Sequence, residues 1–224
     1  MDSGWFVIER SVRVQSDPVA LQIQGAPIVL VREADGEILA LEDRCPHRAV
    51  PLSHGRLGPM GLVCRNHGWS FDRHGHCTFM PGMSADMLGE IRVKSYPVQE
   101  MGGLIWISTR TTAQLPQCAI GMRSKGPPLF LWDGKWLESA AALRLRLAAG
   151  SHSEGSVMQI ETPARLGCRA LITLCFTPET LASCRVFAIA HVETRWLPAW
   201  VARKLTMPLI GRFGSQQALL GRCG

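Results

Sequence analysis

The 224-residue sequence lacks the features that mark several classes of protein. It has no uninterrupted apolar run of membrane-spanning length, and its first ten residues carry Asp2 and Glu9 instead of the basic-then-apolar pattern of a secretory signal. It also has no low-complexity tract, and its 46% apolar and 19% charged residues argue against a disordered or fibrous chain. We therefore expect a globular, cytoplasmic protein whose core is large enough to fold without covalent staples.

The charge is divided unevenly between the two halves of the chain. Residues 1–110 hold 11 basic and 12 acidic residues, whereas residues 111–224 hold 13 and 6. The basic residues of the second half are scattered and lack the clustered aromatic side chains of a nucleic-acid reader, so no nucleic-acid partner is expected. Trp196 and Trp200 stand near basic residues, but a packed amphipathic end explains them better than contact with a membrane surface.

The first half of the sequence predicts a small antiparallel β domain at residues 5–110. Strand-like runs at 28–31 and 38–41 flank an Asp-Gly hairpin dipeptide, and a later apolar run at 104–107 closes the domain. A stretch rich in Pro, Gly, Ser and Thr follows, and it predicts a linker at 111–127.

The second half of the sequence, at 128–224, predicts a partial antiparallel sheet. Residues 170–176 and 184–190 have the apolar and β-branched character of strands, and the Thr-Pro-Glu-Thr segment at 177–180 is interpreted as the turn between them. From Trp196 onward, apolar residues at helical spacing are interrupted by prolines, which predicts broken helices at the end of the chain. The fold class is therefore mainly β with some α.

Four residues of the first half carry the chemistry that the sequence indicates most clearly. Cys45 and His47 stand together in one predicted loop, and Cys64 and His67 stand together in a second one, so each loop offers one thiolate and one imidazole. A zinc finger usually gathers Cys with Cys and His with His, whereas a Rieske centre places two Cys on one iron and two His on the other. The mixed pairing favours a [2Fe–2S] cluster over a structural zinc ion or over plain buried side chains.

The residues around these four extend the motif. They are Cys45-Pro46-His47-Arg48, Pro51-Leu52-Ser53, Gly55, Cys64, His67-Gly68-Trp69, Phe71-Asp72, Gly75 and Pro81. This pattern closely resembles the Rieske domain of the Rieske non-haem iron oxygenases, of the aromatic-ring-hydroxylating alpha-subunit type. The resemblance implies that Cys45 and Cys64 bind the inner iron of a Rieske [2Fe–2S] cluster, and that His47 and His67 bind the outer iron.

Oxygenases of this family also hold a mononuclear Fe(II) on two His and one carboxylate, and that usual motif is missing from the second half. His152 and His191 are the only histidines after residue 110. A weak resemblance of the later strands to the family implies a truncated remnant of the catalytic domain, with an α+β, helix-grip-like sheet. Two His-x-Glu pairs, His152 with Glu154 and His191 with Glu193, allow a non-standard iron site, although solvated strand faces explain them better.

The resemblance implies an oxidoreductase and leaves three functions open. The favoured one is an auxiliary or electron-donating oxygenase subunit, which transfers single electrons through a low-potential cluster. It implies a ferredoxin or flavin reductase as electron donor, and an oxygenase subunit or a second copy of the chain as acceptor. The alternatives are a self-contained Rieske monooxygenase or hydroxylase with a non-standard mononuclear iron, and a degenerate binding protein with an idle cluster.

The loop residues also predict the reduction potential of the cluster. Trp69 follows Gly68 at the position where electron-transport Rieske proteins carry a Ser that hydrogen-bonds the cluster. Fewer hydrogen bonds to cluster sulfur favour the oxidised state, so the expected potential is roughly −150 mV. A redox titration that gives a value above about +150 mV would contradict this prediction.

Overall fold

The computed structural model describes residues 4–84, 88, 90–110, 129–137, 139–142, 152–154, 156–161 and 168–194. In chain order these residues form the strands β1 (Trp5–Arg10), β2 (Val19–Ile23), β3 (Ala26–Arg32), β4 (Ile38–Glu42), β5 (Arg56–Gly58), β6 (Gly61–Val63), β7 (Ser70–Phe71), β8 (Cys77–Phe79), β9 (Val98–Met101), β10 (Leu104–Ser108), β11 (Leu129–Trp136), β12 (His152–Glu154), β13 (Val157–Glu161), β14 (Cys168–Pro178) and β15 (Cys184–Thr194). Short 3-10 helices span Ser11–Arg13 and Leu52–His54. The predicted mainly β fold is confirmed.

The strands are arranged in antiparallel sheets. In the first half the strand orders are β1-β10-β9, β2-β3-β4 and β5-β6-β7-β8, and in the second half the order is β11-β15-β14-β13-β12. Each of the hairpins β3–β4, β9–β10 and β14–β15 joins strands that are consecutive in the chain, as short antiparallel connections require. None of the helical segments in the described ranges has the length and apolar character that a bilayer crossing needs.

Most of the predicted strands that fall in the described part of the chain are observed. The runs at 28–31 and 38–41 lie within β3 and β4, and the run at 104–107 lies within β10. The predicted turn at 177–180 begins two residues too early, because Thr177 and Pro178 still pair with β15 and the chain reverses at 179–183. The predicted linker at 111–127 and the predicted broken helices lie outside the described residues.

One buried core is shared by the first sheet and the second-half sheet. Strands β14 and β15 alternate, so that Cys175, Phe187 and Ile189 point to one face of the sheet while their neighbours point to the other. That face packs against β1 and β10, and the fully buried ring of Trp106 lies among these side chains. Burial of this much apolar surface is the largest stabilising term available to such a contact.

Polar contacts reinforce the same junction between the two sheets. The hydroxyl of Ser156 donates to the Trp5 carbonyl at 2.6 Å. The guanidinium of Arg185 on β15 lies 3.0 Å from the buried carboxylate of Glu9 on β1 and 3.1 Å from that of Asp133 on β11. A buried carboxylate without such a partner would be costly, so the network fixes how the two sheets meet.

The glycine at the tip of the β7–β8 hairpin provides a test of the packing in the first half. Gly75 has φ +81°, and a Cβ on it would lie 2.0 Å from the Val93 carbonyl oxygen, whereas Gly36 has φ +90° and open space around it. We expect Gly36→Ala to cost about 1–2 kcal/mol from backbone strain alone. Gly75→Ala is expected to cost about 3 kcal/mol or more, because a backbone clash is added to the strain.

Urea unfolding of the two variants, followed by circular dichroism, measures this difference. Equal losses of unfolding free energy in Gly75→Ala and Gly36→Ala would show that the close approach to Val93 contributes nothing to stability.

Candidate metal centre

Two loops with the same backbone hydrogen-bonding pattern form the candidate centre. In the first, which follows β4, the Cys45 amide donates to the Val50 carbonyl at 2.8 Å, and the Ala49 amide donates to the Cys45 carbonyl at 2.8 Å. In the second, between β6 and β7, the Cys64 amide donates to the Trp69 carbonyl at 2.8 Å, and the Gly68 amide donates to the Cys64 carbonyl at 3.1 Å. Each cysteine is therefore held at the base of an equivalent turn.

The two loops are also alike four positions after each cysteine, where the residue has a positive φ in the left-handed region. Gly68 has φ +71° in the second loop, and Ala49 has φ +56° in the first. This conformation costs an alanine roughly 1–2 kcal/mol in steric repulsion, whereas a glycine adopts it without that cost. The first loop is thus held in the shape of the second despite its residue type.

The two thiols lie together in the interior. Cys45 and Cys64 are each 2% exposed and belong to the core cluster of the first half. Burial raises the pKa of the Cys45 thiol to about 11, and the neighbouring Cys64 also raises it, while the backbone amides of His47 and Arg48 act in the opposite direction. Those amides point at the sulfur, so the loop already supplies hydrogen bonds to a thiolate, the form that binds metal.

The two imidazoles lie together at the surface. The Nδ1 atoms of His47 and His67 are 3.1 Å apart, and their rings meet edge to face with centroids 4.5 Å apart. Partial desolvation, followed by the positive charges of His67 and Arg48, lowers the pKa of His47. A lowered pKa favours the neutral imidazole, which is the form that can act as a ligand.

The four donors therefore form a buried thiol pair and an exposed imidazole pair. A cofactor with two metal ions fits this arrangement, because the thiol pair can bind one ion and the imidazole pair can bind the other. A single tetrahedral zinc ion would instead need three or four donors at one point, and the described residues contain no such gathering of Cys, His, Asp and Glu. The donor set fits a [2Fe–2S] cluster.

Two further side chains position the loops, and neither role was predicted from the sequence. Asp43, which is 9% exposed, accepts hydrogen bonds from the Ser53 amide at 2.7 Å and from the Ser53 hydroxyl at 2.6 Å. These bonds tie the two ends of the first loop together. The Trp69 ring stacks on the His47 ring with an interplanar angle of 7° and centroids 4.7 Å apart, which links the second loop to the first.

The residues considered for a second iron are not brought together. His191 and Glu193 lie on β15, and His152 and Glu154 lie on β12 at the edge of the same sheet. Strands β14 and β13 stand between them, so roughly 14 Å separates the two pairs at the usual strand spacing. Within the described part of the chain, the sheet order therefore separates these two pairs of residues.

Comparison with known proteins identifies one domain and several relatives. The Rieske [2Fe-2S] domain matches residues 4–97. The chain is 43% identical over 107 residues to 4beta-methylsterol monooxygenase of Methylococcus capsulatus, covering 46% of this chain and 29% of the relative. It is 36% identical over 121 residues to the 3-chlorobenzoate-3,4-dioxygenase oxygenase subunit of Comamonas testosteroni, covering 52% of this chain and 28% of the relative. The chain thus spans less than a third of the length of these two relatives.

Solved structures extend the likeness beyond residue 97. The fold matches dicamba monooxygenase with a TM-score of 0.69 and 25% identity, covering 84% of this chain and 75% of that one. It also matches NdmA of Pseudomonas putida CBB5 with a TM-score of 0.72, covering 92% of this chain and 77% of that one, although at 16% identity this likeness shows the fold alone.

Fold, loops and domain match together define a Rieske iron–sulfur protein, whose cofactor is a [2Fe–2S] cluster. The 3-chlorobenzoate-3,4-dioxygenase oxygenase subunit and dicamba monooxygenase are named as oxygenases or oxygenase components, so this domain is similar to that of the Rieske oxygenases. The resemblance and the cofactor predicted from the sequence are confirmed.

A pair of cysteine substitutions tests the assignment of the thiol ligands. Cys64 and Cys77 are both buried in the same core cluster, but only Cys64 lies beside Cys45. We expect Cys64→Ser to lose the bound iron and acid-labile sulfide, since a serine hydroxyl is a poor ligand for iron–sulfur clusters. Cys77→Ser is expected to keep both.

Iron and sulfide analysis of the purified variants, together with their visible absorbance, gives the result. Retention of the full brown chromophore in Cys64→Ser would contradict the ligand assignment, and its loss in both variants would point to damage of the shared core.

Proposed function

We propose that the chain binds its [2Fe–2S] cluster through Cys45 and Cys64 on one iron and through His47 and His67 on the other, and that it transfers single electrons in an oxygenase system. The observation that carries the proposal is the division of the four donors into a buried thiol pair and an exposed imidazole pair. When bound, the cluster supplies a one-electron redox couple.

The residues of the two loops have distinct tasks in this proposal. The thiol end is enclosed by apolar side chains, which exclude water from the sulfur ligands. The backbone amides of His47 and Arg48 face the Cys45 sulfur and stabilise negative charge there. His47 and His67 are exposed, so electrons enter and leave at the imidazole end, where a partner protein has access.

The proposed arrangement of the chain follows the sequence prediction. A Rieske domain occupies residues 5–110, a linker occupies 111–127, and a remnant of an oxygenase catalytic domain occupies 128–224. Support for the remnant comes from the structural match, which covers 84% of the chain and therefore reaches into the second-half sheet.

The role that we propose is that of an auxiliary or electron-donating subunit. Its electron donor is a ferredoxin or a flavin reductase, and its acceptor is an iron in an oxygenase subunit or in a second copy of this chain. The sheet order supports this role, because it places the candidate iron ligands of β12 and β15 on strands that are not neighbours. The second candidate is a self-contained oxygenase, which is favoured by the fold match to dicamba monooxygenase.

Metal counting distinguishes these functions. On protein purified without oxygen, we expect two irons and two acid-labile sulfides per chain, and a paramagnetic resonance signal that appears on one-electron reduction. A third iron that restores substrate oxidation would instead support the self-contained oxygenase. A cluster that no donor protein can reduce would support a non-catalytic binding protein, and both results would contradict the proposed role.

A further inference from the structure

Four exposed arginines lie in or directly beside the two loops that carry the candidate ligands. Arg44 and Arg48 flank the ligands of the first loop, Arg65 follows Cys64 in the second, and Arg56 begins β5 beside it; all four side chains are exposed. We refer to these four residues as the arginine collar. Residues 44–71 contain no Asp or Glu, although residues 1–110 as a whole hold one more acidic than basic residue.

The collar arginines differ from other arginines of the protein in their partners. Arg32, Arg73 and Arg185 each bind carboxylates, at distances such as 2.9 Å from Arg32 to Glu100. In the described part of the chain, no member of the collar is held in an ion pair. Their charges therefore remain available to a partner.

Four acidic residues of the same half lie at the opposite end of the sheets, whereas Glu42 and the buried Asp43 immediately precede the first cluster loop. Glu33, Asp35 and Glu37 occupy the turn that precedes β4, and the first cluster loop follows the other end of β4. Asp72 lies in the turn after β7, and the second cluster loop precedes that strand. The four collar arginines and these four acidic residues are thus separated along the strands, and the resulting field orients an approaching charged protein with its acidic face toward the collar.

A notch of about 350 Å³ lies within the collar and suits a carboxylate. Arg56, Arg65 and His54 line it, and Cys64 and Gly68 contribute to its walls. Two guanidinium groups in one notch offer paired hydrogen bonds to a carboxylate, the geometry that arginine binds best. The notch borders the cysteine of the second loop, so an anchored side chain would hold its protein against the redox centre.

We propose that the arginine collar is the docking surface of an acidic electron-donor protein, whose carboxylates enter the notch between Arg56 and Arg65. This inference rests on the proposed function, because it identifies where the donor of that electron binds. A redox partner that contacts the exposed imidazoles also lies against the loops that carry these arginines, and covering guanidinium groups is costly unless carboxylates face them. In the transfer, one electron leaves the reduced donor and arrives at the Rieske centre, and no atom or proton needs to move.

The test uses the full chain with its cluster and a plant-type [2Fe–2S] ferredoxin of net negative charge as donor. Stopped-flow absorbance gives the rate of cluster reduction, and calorimetry gives the affinity for the oxidised ferredoxin. The double variant Arg56→Gln/Arg65→Gln is expected to lower the rate and the affinity about tenfold at about 20 mM salt, with little effect at about 500 mM. The charge-conserving variant Arg56→Lys/Arg65→Lys should recover much of both.

Two controls make the outcomes distinct. Arg92→Gln removes an exposed arginine beside His76, at the end of β7 and β8 away from the cluster loops, and it should leave both measurements unchanged. The methyl viologen radical cation, which no basic surface attracts, should reduce the wild type and every variant equally fast.

The docking proposal is overturned if the double variant and Arg92→Gln behave alike toward ferredoxin. It is also overturned if the double variant loses only its binding to phosphatidylserine vesicles, which would make the collar a membrane-facing surface. Failure of methyl viologen to reduce the wild-type cluster would instead count against the proposed function itself.

Discussion

The site depends on one constraint, which is that two short loops close with the same pair of backbone hydrogen bonds. Because the amide of each cysteine is fixed by a carbonyl five residues later, both thiols turn inward and both following histidines turn outward. Backbone groups set this geometry, and the positive φ of Ala49 and Gly68 is part of it. The bonds from Ser53 to Asp43 and the stacking of Trp69 on His47 then keep the loops in register with each other.

The two loops are connected to the rest of the molecule through the apolar cores of the sheets. Cys45 and Cys64 belong to the same core cluster as residues of β3 and β4, so the ligand positions are continuous with the apolar interior. A different core joins β1 and β10 to the second-half sheet, and Arg185 connects the carboxylates of Glu9 and Asp133 across that junction. Because protein interiors are densely packed, small displacements are transmitted from one side chain to the next. The two halves therefore behave as one packed body at this contact.

The sequence was sufficient for features that depend on local order. The four donors are separated by one and two residues within their loops, and strands such as β3 and β4 have continuous apolar character with a turn signal between them. Contacts between residues far apart in the chain could not be predicted in this way. The pairing of Arg13 with Asp133 joins positions 120 residues apart, and neither position carries a local pattern that indicates it.

The same limitation explains the misplaced turn, and it also bears on the candidate second iron, which stays a prediction. The predicted turn includes Thr177, but this residue still pairs with Arg185 of β15, and its hydroxyl donates to the Val7 carbonyl of β1. The two His-x-Glu pairs look equivalent in sequence, yet the order of strands in the sheet decides their separation. Strand order is a tertiary property that no spacing within a strand reveals.

The shared core around Trp106 bears on how the protein can be divided. A gene fragment that ends near the last residue of β10 would contain all four proposed cluster ligands, but it would leave Trp5, Val7 and Leu104 without the strands that cover them. Such a fragment would expose an apolar surface to solvent and would tend to self-associate. A minimal redox module made from this protein would need polar substitutions on that face.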